Sequence, residues 1–149
     1  MTDILSPLAR SERMSRIRGR GNALTEERMR LLLRGAGLSG WRRHCKLPGR
    51  PDFVFRQEKV AIFVDGCFWH GCPTHFKAPI GNAEFWRKKI AGNRERDRAV
   101  NRNLRKAGWT VLRIWEHALH SKKRVATTAS IKSGPKSLNI SVDATSFLP

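Results

Sequence analysis

Acidic side chains are scarce in this chain. Twelve Asp and Glu stand against 30 Lys and Arg in 149 residues, a formal charge of +18. The imbalance leaves the fold open but favours polyanionic partners, nucleic acid foremost. Long apolar runs are also lacking. No stretch approaches the roughly 18 residues that mark a transmembrane helix, so association with a membrane is not expected. The opening Met1-Thr-Asp-Ile-Leu5 is too short for the apolar core of a secretion signal. Cysteine is sparse, with Cys45, Cys67 and Cys72 making an odd count. That argues against a disulfide scaffold and for reduced thiols in the cytoplasm. What is present is 40% hydrophobic content, enough at this length for one domain with a real core.

Composition divides the chain in three. Residues 1–21 form a basic arm, with Arg10, Arg13, Arg16, Arg18 and Arg20 interrupted by glycine. Residues 22–120 carry the patterning of a folded domain. Residues 121–149 are Lys-, Ser- and Thr-rich with weak periodicity and read as a loosely packed tail. Within the domain, Asn22 can cap a helix over 23–34. A short strand is expected over 42–46, and strands over 52–55 and 60–64 are joined by a turn at 57–59. Asn82 can cap a long helix over 83–106, and 109–115 reads as a further strand. The apolar run 60–64 predicts burial on both faces. This order predicts an α/β domain with a central mixed sheet flanked by helices. Asn93 and Asp97 interrupt the apolar stripe of the long helix. Either they face a polar site between helix and sheet, or that end of the helix is wet.

The densest chemistry lies in Asp65-Gly-Cys-Phe-Trp-His-Gly-Cys-Pro-Thr-His75. Cys67, Cys72 and His75 have the spacing to wrap one Zn²⁺. A structural tetrahedron needs a fourth ligand. His117, just past a strand that can lie beside 60–64, is the best candidate, and His70 is its competitor. Cys45 reads as an ordinary cysteine. Asp52 opens one strand and Asp65 closes the next, so a hairpin brings them together. Carboxylates so placed suit Mg²⁺, which can activate water and stabilise charge on a phosphate. His70 can serve as acid or base at neutral pH, with Asp97 and Glu26 in support. Glu26 also has an ordinary reading, as a first-turn acid favourable with the helix dipole. The adjacent Phe68 and Trp69 have the composition of a wedge between base pairs, or of core packing. Met14 on the arm is a weaker candidate for a third wedge residue.

Six segments together resemble the very short patch repair (Vsr) family of DNA mismatch endonucleases. They are Met14-Ser-Arg-Ile-Arg-Gly19, Leu47-Pro-Gly-Arg-Pro-Asp52, Phe63-Val-Asp-Gly-Cys-Phe-Trp-His70, Glu84-Phe-Trp86, Asn93-Arg-Glu-Arg-Asp97 and Gly108-Trp-Thr-Val-Leu-Arg-Ile-Trp-Glu-His117. The resemblance implies a restriction-endonuclease-like fold with a structural zinc. It implies nicking of duplex DNA 5′ of the thymine in a T:G mismatch, by a monomer acting on the nucleoid, with mismatch-repair proteins as possible partners. By the same resemblance Asp52 is the direct Mg²⁺ ligand, Val64 lends its backbone carbonyl and His70 is the catalytic histidine. Asp97 and Glu26 align with supporting acids, and Phe68, Trp69 and Met14 with the wedge. Two departures stand out. Asp65 replaces a histidine that organises metal-bound water. In the zinc loop, His75 and His117 shift the ligand pattern, which Cys67, Cys72, His75 and His117 still complete. The alternatives are a nuclease with other mismatch or site specificity, and a zinc-stabilised DNA-binding protein without catalysis.

Overall fold

The computed structural model describes residues 23–120. The arm at 1–21 with Met14, the Asn22 cap and the tail at 121–149 lie outside the described residues. A π-helical turn over Ala23–Glu27 leads into α1, Arg28–Gly35. The strands are β1, Arg42–Arg43, β2, Phe53–Phe55, β3, Val60–Asp65, and β4, Thr110–Trp115. Between β3 and β4 runs α2, Ala83–Lys106, and a 3₁₀ turn, Glu116–Leu119, follows β4. The sheet order is β1-β2-β3-β4. β1, β2 and β3 pair antiparallel, and β3 pairs parallel with β4 in the register Val60↔Thr110 to Asp65↔Trp115.

Side-chain alternation sorts the strands between two layers. Val60 and Ile62 of β3, with Leu112 and Ile114 of β4, pack with Phe53 against Met29 and Leu33 of α1. Ala61 and Phe63 face the other way and meet Leu104 of α2, with Val100 and Val111 packed alongside. The sheet is therefore covered on both sides, as the apolar run 60–64 predicts. Each fully buried Leu, Ile or Phe contributes about 1.5–3 kcal/mol, so these layers set the strand register firmly. That register also puts Asp65 and Arg113 on the α2 side, in step with Phe63 and Val111.

Two local expectations need correction. The strand expected over 42–46 stops after Arg43, because His44 adopts φ 54°, a left-handed conformation that breaks the ladder. Asn82 precedes α2 and its carbonyl accepts from Trp86 N–H at 3.1 Å, but its side chain makes no cap hydrogen bond. Its backbone is left-handed at φ 59°, whereas a capping Asn uses an extended backbone to aim its oxygen at the first turn. The turn before β2 does fit closely against α2. Gly49 has φ 73°, and a Cβ there would lie 2.5 Å from Val100 Cγ1, so only glycine lets the chain turn at this point towards Asp52.

Candidate active site and metal centre

A cleft of about 790 Å³ opens at the end of the β2–β3 hairpin, lined by Asp52, Val64, Asp65, His70, Asp97 and Arg113 among others. Asp52 is tied in twice. Its N–H donates to Ile62 O at 2.9 Å, and its Oδ2 accepts from Val64 N–H at 2.7 Å. The N–H and C=O of a strand residue face the same edge, so the Val64 carbonyl lies on the edge that Asp52 occupies. Burial pushes the Asp52 carboxyl up to about 6, and the charges of Glu26 and Asp65 add to it. The Val64 N–H and His70 pull the other way. A divalent cation would relieve this crowding of negative charge, so the donor set fits a hard oxygen-seeking ion.

His70 belongs to α2 as much as to its own loop. Its Nδ1 lies 2.6 Å from Asp97 Oδ2 and 3.7 Å from Asp65 Oδ1. Burial works to lower the pKa of His70, but the Asp97 bond and the charges of Asp65 and Asp97 outweigh it and raise it. Asp97 shows the mirror effect, with burial outweighed by His70 and Arg113, so its pKa is lowered. Asp97 is 9% exposed, and Asn93 donates to the Trp69 carbonyl at 2.8 Å. Asp97 therefore faces a polar site between helix and sheet, and Asn93 ties α2 to the loop after β3, so neither stands at a wet helix end.

One cleft residue, Arg113, is missed among the sequence-predicted site residues, while Glu26 is expected there as a supporting acid. Arg113 donates from Nη1 to Asp65 Oδ1 and Oδ2 at 2.7 and 2.8 Å, and its Nη2 lies 3.1 Å from Asp97 Oδ1. The signal was one charge in the middle of an otherwise apolar strand, which a buried position tolerates only with partners. Glu26 is 3% exposed and meets Arg43 Nη2 at 2.5 Å, with His44 Nε2 at 3.7 Å. Glu26 thus reaches the cleft wall instead of standing in solvent at a helix start.

The parallel pairing of β3 and β4 sends both chains out of the sheet at the same end. Cys67 follows β3 by two residues and His117 follows β4 by two. Cys67, Cys72, His75 and His117 hold their ligand atoms within 4.8 Å of one another. Cys67 Sγ is 3.1 Å from His117 Nδ1, and Cys72 Sγ is 3.6 Å from both His75 Nδ1 and His117 Nδ1. Tetrahedral zinc bonds of about 2.3 Å to sulfur and 2.0 Å to nitrogen separate the donors by roughly 3.5 Å. The cluster therefore fits a closed structural zinc. His117 completes it, while His70 is turned to Asp97. Burial pushes the Cys67 thiol up to about 12. Burial acts on Cys72 too, but bonds with Thr74 and His75 outweigh it and bring that thiol down to about 7. Cys67 N–H also donates to Glu116 Oε1 at 2.9 Å, a second tie between the two strand ends. Cys45 is buried and stands apart from the cluster.

The loop carrying these ligands also presents Phe68 and Trp69, both half-buried. Phe68 packs edge-on against Trp69 and Trp86, each with centroids 5.2 Å apart. The cluster leans on α2 without sinking into either core layer.

With this geometry in view, comparisons with known proteins decide the family. The model of the family described as DNA mismatch endonuclease Vsr matches residues 2–75. The DNA mismatch endonuclease Vsr of Escherichia coli K12 is 41% identical over 130 residues, covering 87% of this chain and 83% of that protein. The chain belongs to the Vsr family. Membership makes it an endonuclease, and one that binds DNA. The type II nicking enzyme V.XorIIP of Xanthomonas oryzae is 39% identical over 118 residues, 78% of this chain and 85% of that enzyme. The type II nicking enzyme V.NaeI of Lentzea aerocolonigenes is 56% identical over 68 residues, which span 46% of this chain and 41% of that enzyme. The mixed α/β fold and the Cys/His cluster agree with a Vsr endonuclease. Among the described residues no helix is long and apolar enough to cross a membrane.

Proposed function

We propose that this Vsr-family endonuclease nicks one strand of duplex DNA 5′ of the thymine in a T:G mismatch, acting as a monomer in the cytoplasm. The observation that carries the reading is the cleft itself, where Asp52, the Val64 edge and the His70–Asp97 pair converge on one volume in a strongly basic chain. Asp52 and the Val64 carbonyl would hold Mg²⁺, which when bound supplies positive charge against the phosphate and makes water more acidic. Asp97 occupies His70 Nδ1, which leaves Nε2 as the ring nitrogen that exchanges a proton with the cleft. In the reaction, a water oxygen bonds to phosphorus and its proton passes to His70 Nε2. The bond from phosphorus to the 3′ oxygen breaks, and that oxygen takes a proton from solvent. The products are 5′-phosphate and 3′-hydroxyl ends. Arginines on α2 and the arm at 1–21 neutralise phosphates and set the duplex in register. Phe68 and Trp69, with Met14, enter the stack beside the mismatch.

The test is strand-resolved cleavage of matched, T:G and otherwise mismatched duplexes by zinc-loaded protein, with and without Mg²⁺. Wild type is expected to nick the T:G duplex only with Mg²⁺. Asp52→Ala is expected to lose at least about a hundredfold in rate while still binding the duplex. Equal nicking of other mismatches would shift the reading to a broader nuclease. No nicking of any duplex by folded, zinc-loaded protein would overturn it in favour of a binding role.

A further inference from the structure

The cleft holds more carboxylates than one cation needs. Asp52, Asp65 and Asp97 all line it, yet their partners differ. Among the described residues, Asp52 forms no ion pair with Lys or Arg, whereas Asp65 and Asp97 share one guanidinium. The Arg113 side chain is 10% exposed and is held from several directions. Its Nη1 reaches both oxygens of Asp65, its Nη2 reaches Asp97, its Nε donates to Asn101 Oδ1 at 3.0 Å, and its Cζ lies 4.5 Å from the Phe63 ring centroid.

We propose that Arg113 is a positioning residue whose guanidinium withholds Asp65 from the divalent cation of the cleft and holds Asp97 against His70. Both Asp65 oxygens face a hydrogen-bonding cation at under 3 Å, so coordinating a second cation would mean breaking a buried charge-assisted pair. Only a planar fork can span two carboxylates while a third nitrogen anchors it to α2. Asp97, fixed from one side by Arg113, presents its other oxygen to His70 Nδ1. The cleft acids are thereby divided, with Asp52 for the cation and Asp65 and Asp97 for Arg113. The inference deepens the nicking reading and rests on it for its kinetic part.

The experiment uses full-length, zinc-loaded wild type, Arg113→Met, Asp65→Asn and the double variant. The first readout is Mn²⁺ binding to DNA-free protein, followed by electron paramagnetic resonance. Arg113→Met is expected to bind Mn²⁺ about tenfold more tightly, because Asp65 joins Asp52 as a ligand. The double variant is expected to return to near the wild-type affinity. Unchanged or weaker Mn²⁺ binding in Arg113→Met would overturn the withholding role. The second readout is single-turnover nicking of a T:G duplex. Here Arg113→Met is expected to slow the chemical step about a hundredfold with KM unchanged. A loss confined to duplex affinity would make Arg113 a DNA contact and overturn the positioning role. If wild type itself fails to nick, the proposed function fails, and the Mn²⁺ titration still decides on Arg113. Should Arg113→Met fail to fold, Arg113→Gln takes its place with the same expectations.

Discussion

Asp52 lies beside two other carboxylates, Glu26 and Asp65, and burial with their charges raises its pKa to about 6. In the folded protein it holds a proton that the unfolded chain releases near 3.8. Its contribution to stability is therefore complete below the unfolded value and is lost as pH rises through about 6. Asp52→Asn is expected to stabilise the Mg²⁺-free, zinc-loaded protein by about 1–2 kcal/mol above pH 6. The gain should shrink as pH falls towards 4, as urea unfolding across that range will show. An unchanged gain at both ends would mean that the carboxylate charge is not what opposes folding. A buried carboxylate whose charge the fold opposes is a pattern typical of functional clefts.

At the level of elements, the Cys/His cluster ties the loop after β3 to the 3₁₀ turn after β4. Wild type is expected to carry one zinc per chain, read by native mass spectrometry. His117→Ala is expected to lose that zinc and to melt at lower temperature, whereas His70→Ala keeps the zinc and loses nicking. Retention of zinc by His117→Ala would remove His117 from the ligand set. These elements were legible in the sequence to differing depths. The strands at 53–55, 60–65 and 110–115 and the helix 83–106 follow from apolar period and turn residues, which act locally. Asp52 and Asp65 could be paired because a hairpin fixes which ends meet. The short reach of β1 and the left-handed Asn82 were hidden, because backbone conformations at single residues respond to packing that no local pattern records. Arg113 was hidden for another reason. Its partners lie 48 residues away in sequence at Asp65 and 16 away at Asp97, and only the parallel β3–β4 register brings the three together.

For the whole molecule, the charge of +18 dominates the encounter with DNA. Duplex affinity is expected to fall about 10³-fold between roughly 50 and 200 mM salt, if some six phosphates are neutralised. A fluorescence anisotropy titration across that range checks it, and a flat response would take the basic surface out of recognition. The parallel pairing of β3 with β4 has a consequence for how the enzyme comes into being. Asp52 and His70 leave the ribosome early, but Arg113 and His117 belong to the last third of the chain. A nascent or prematurely terminated product therefore carries the groups proposed to react, Asp52 and His70, without Arg113 and His117, which tie the cleft and the Cys/His cluster together. Under the proposed roles, competence to cut is expected only once Arg113 and His117 have been made.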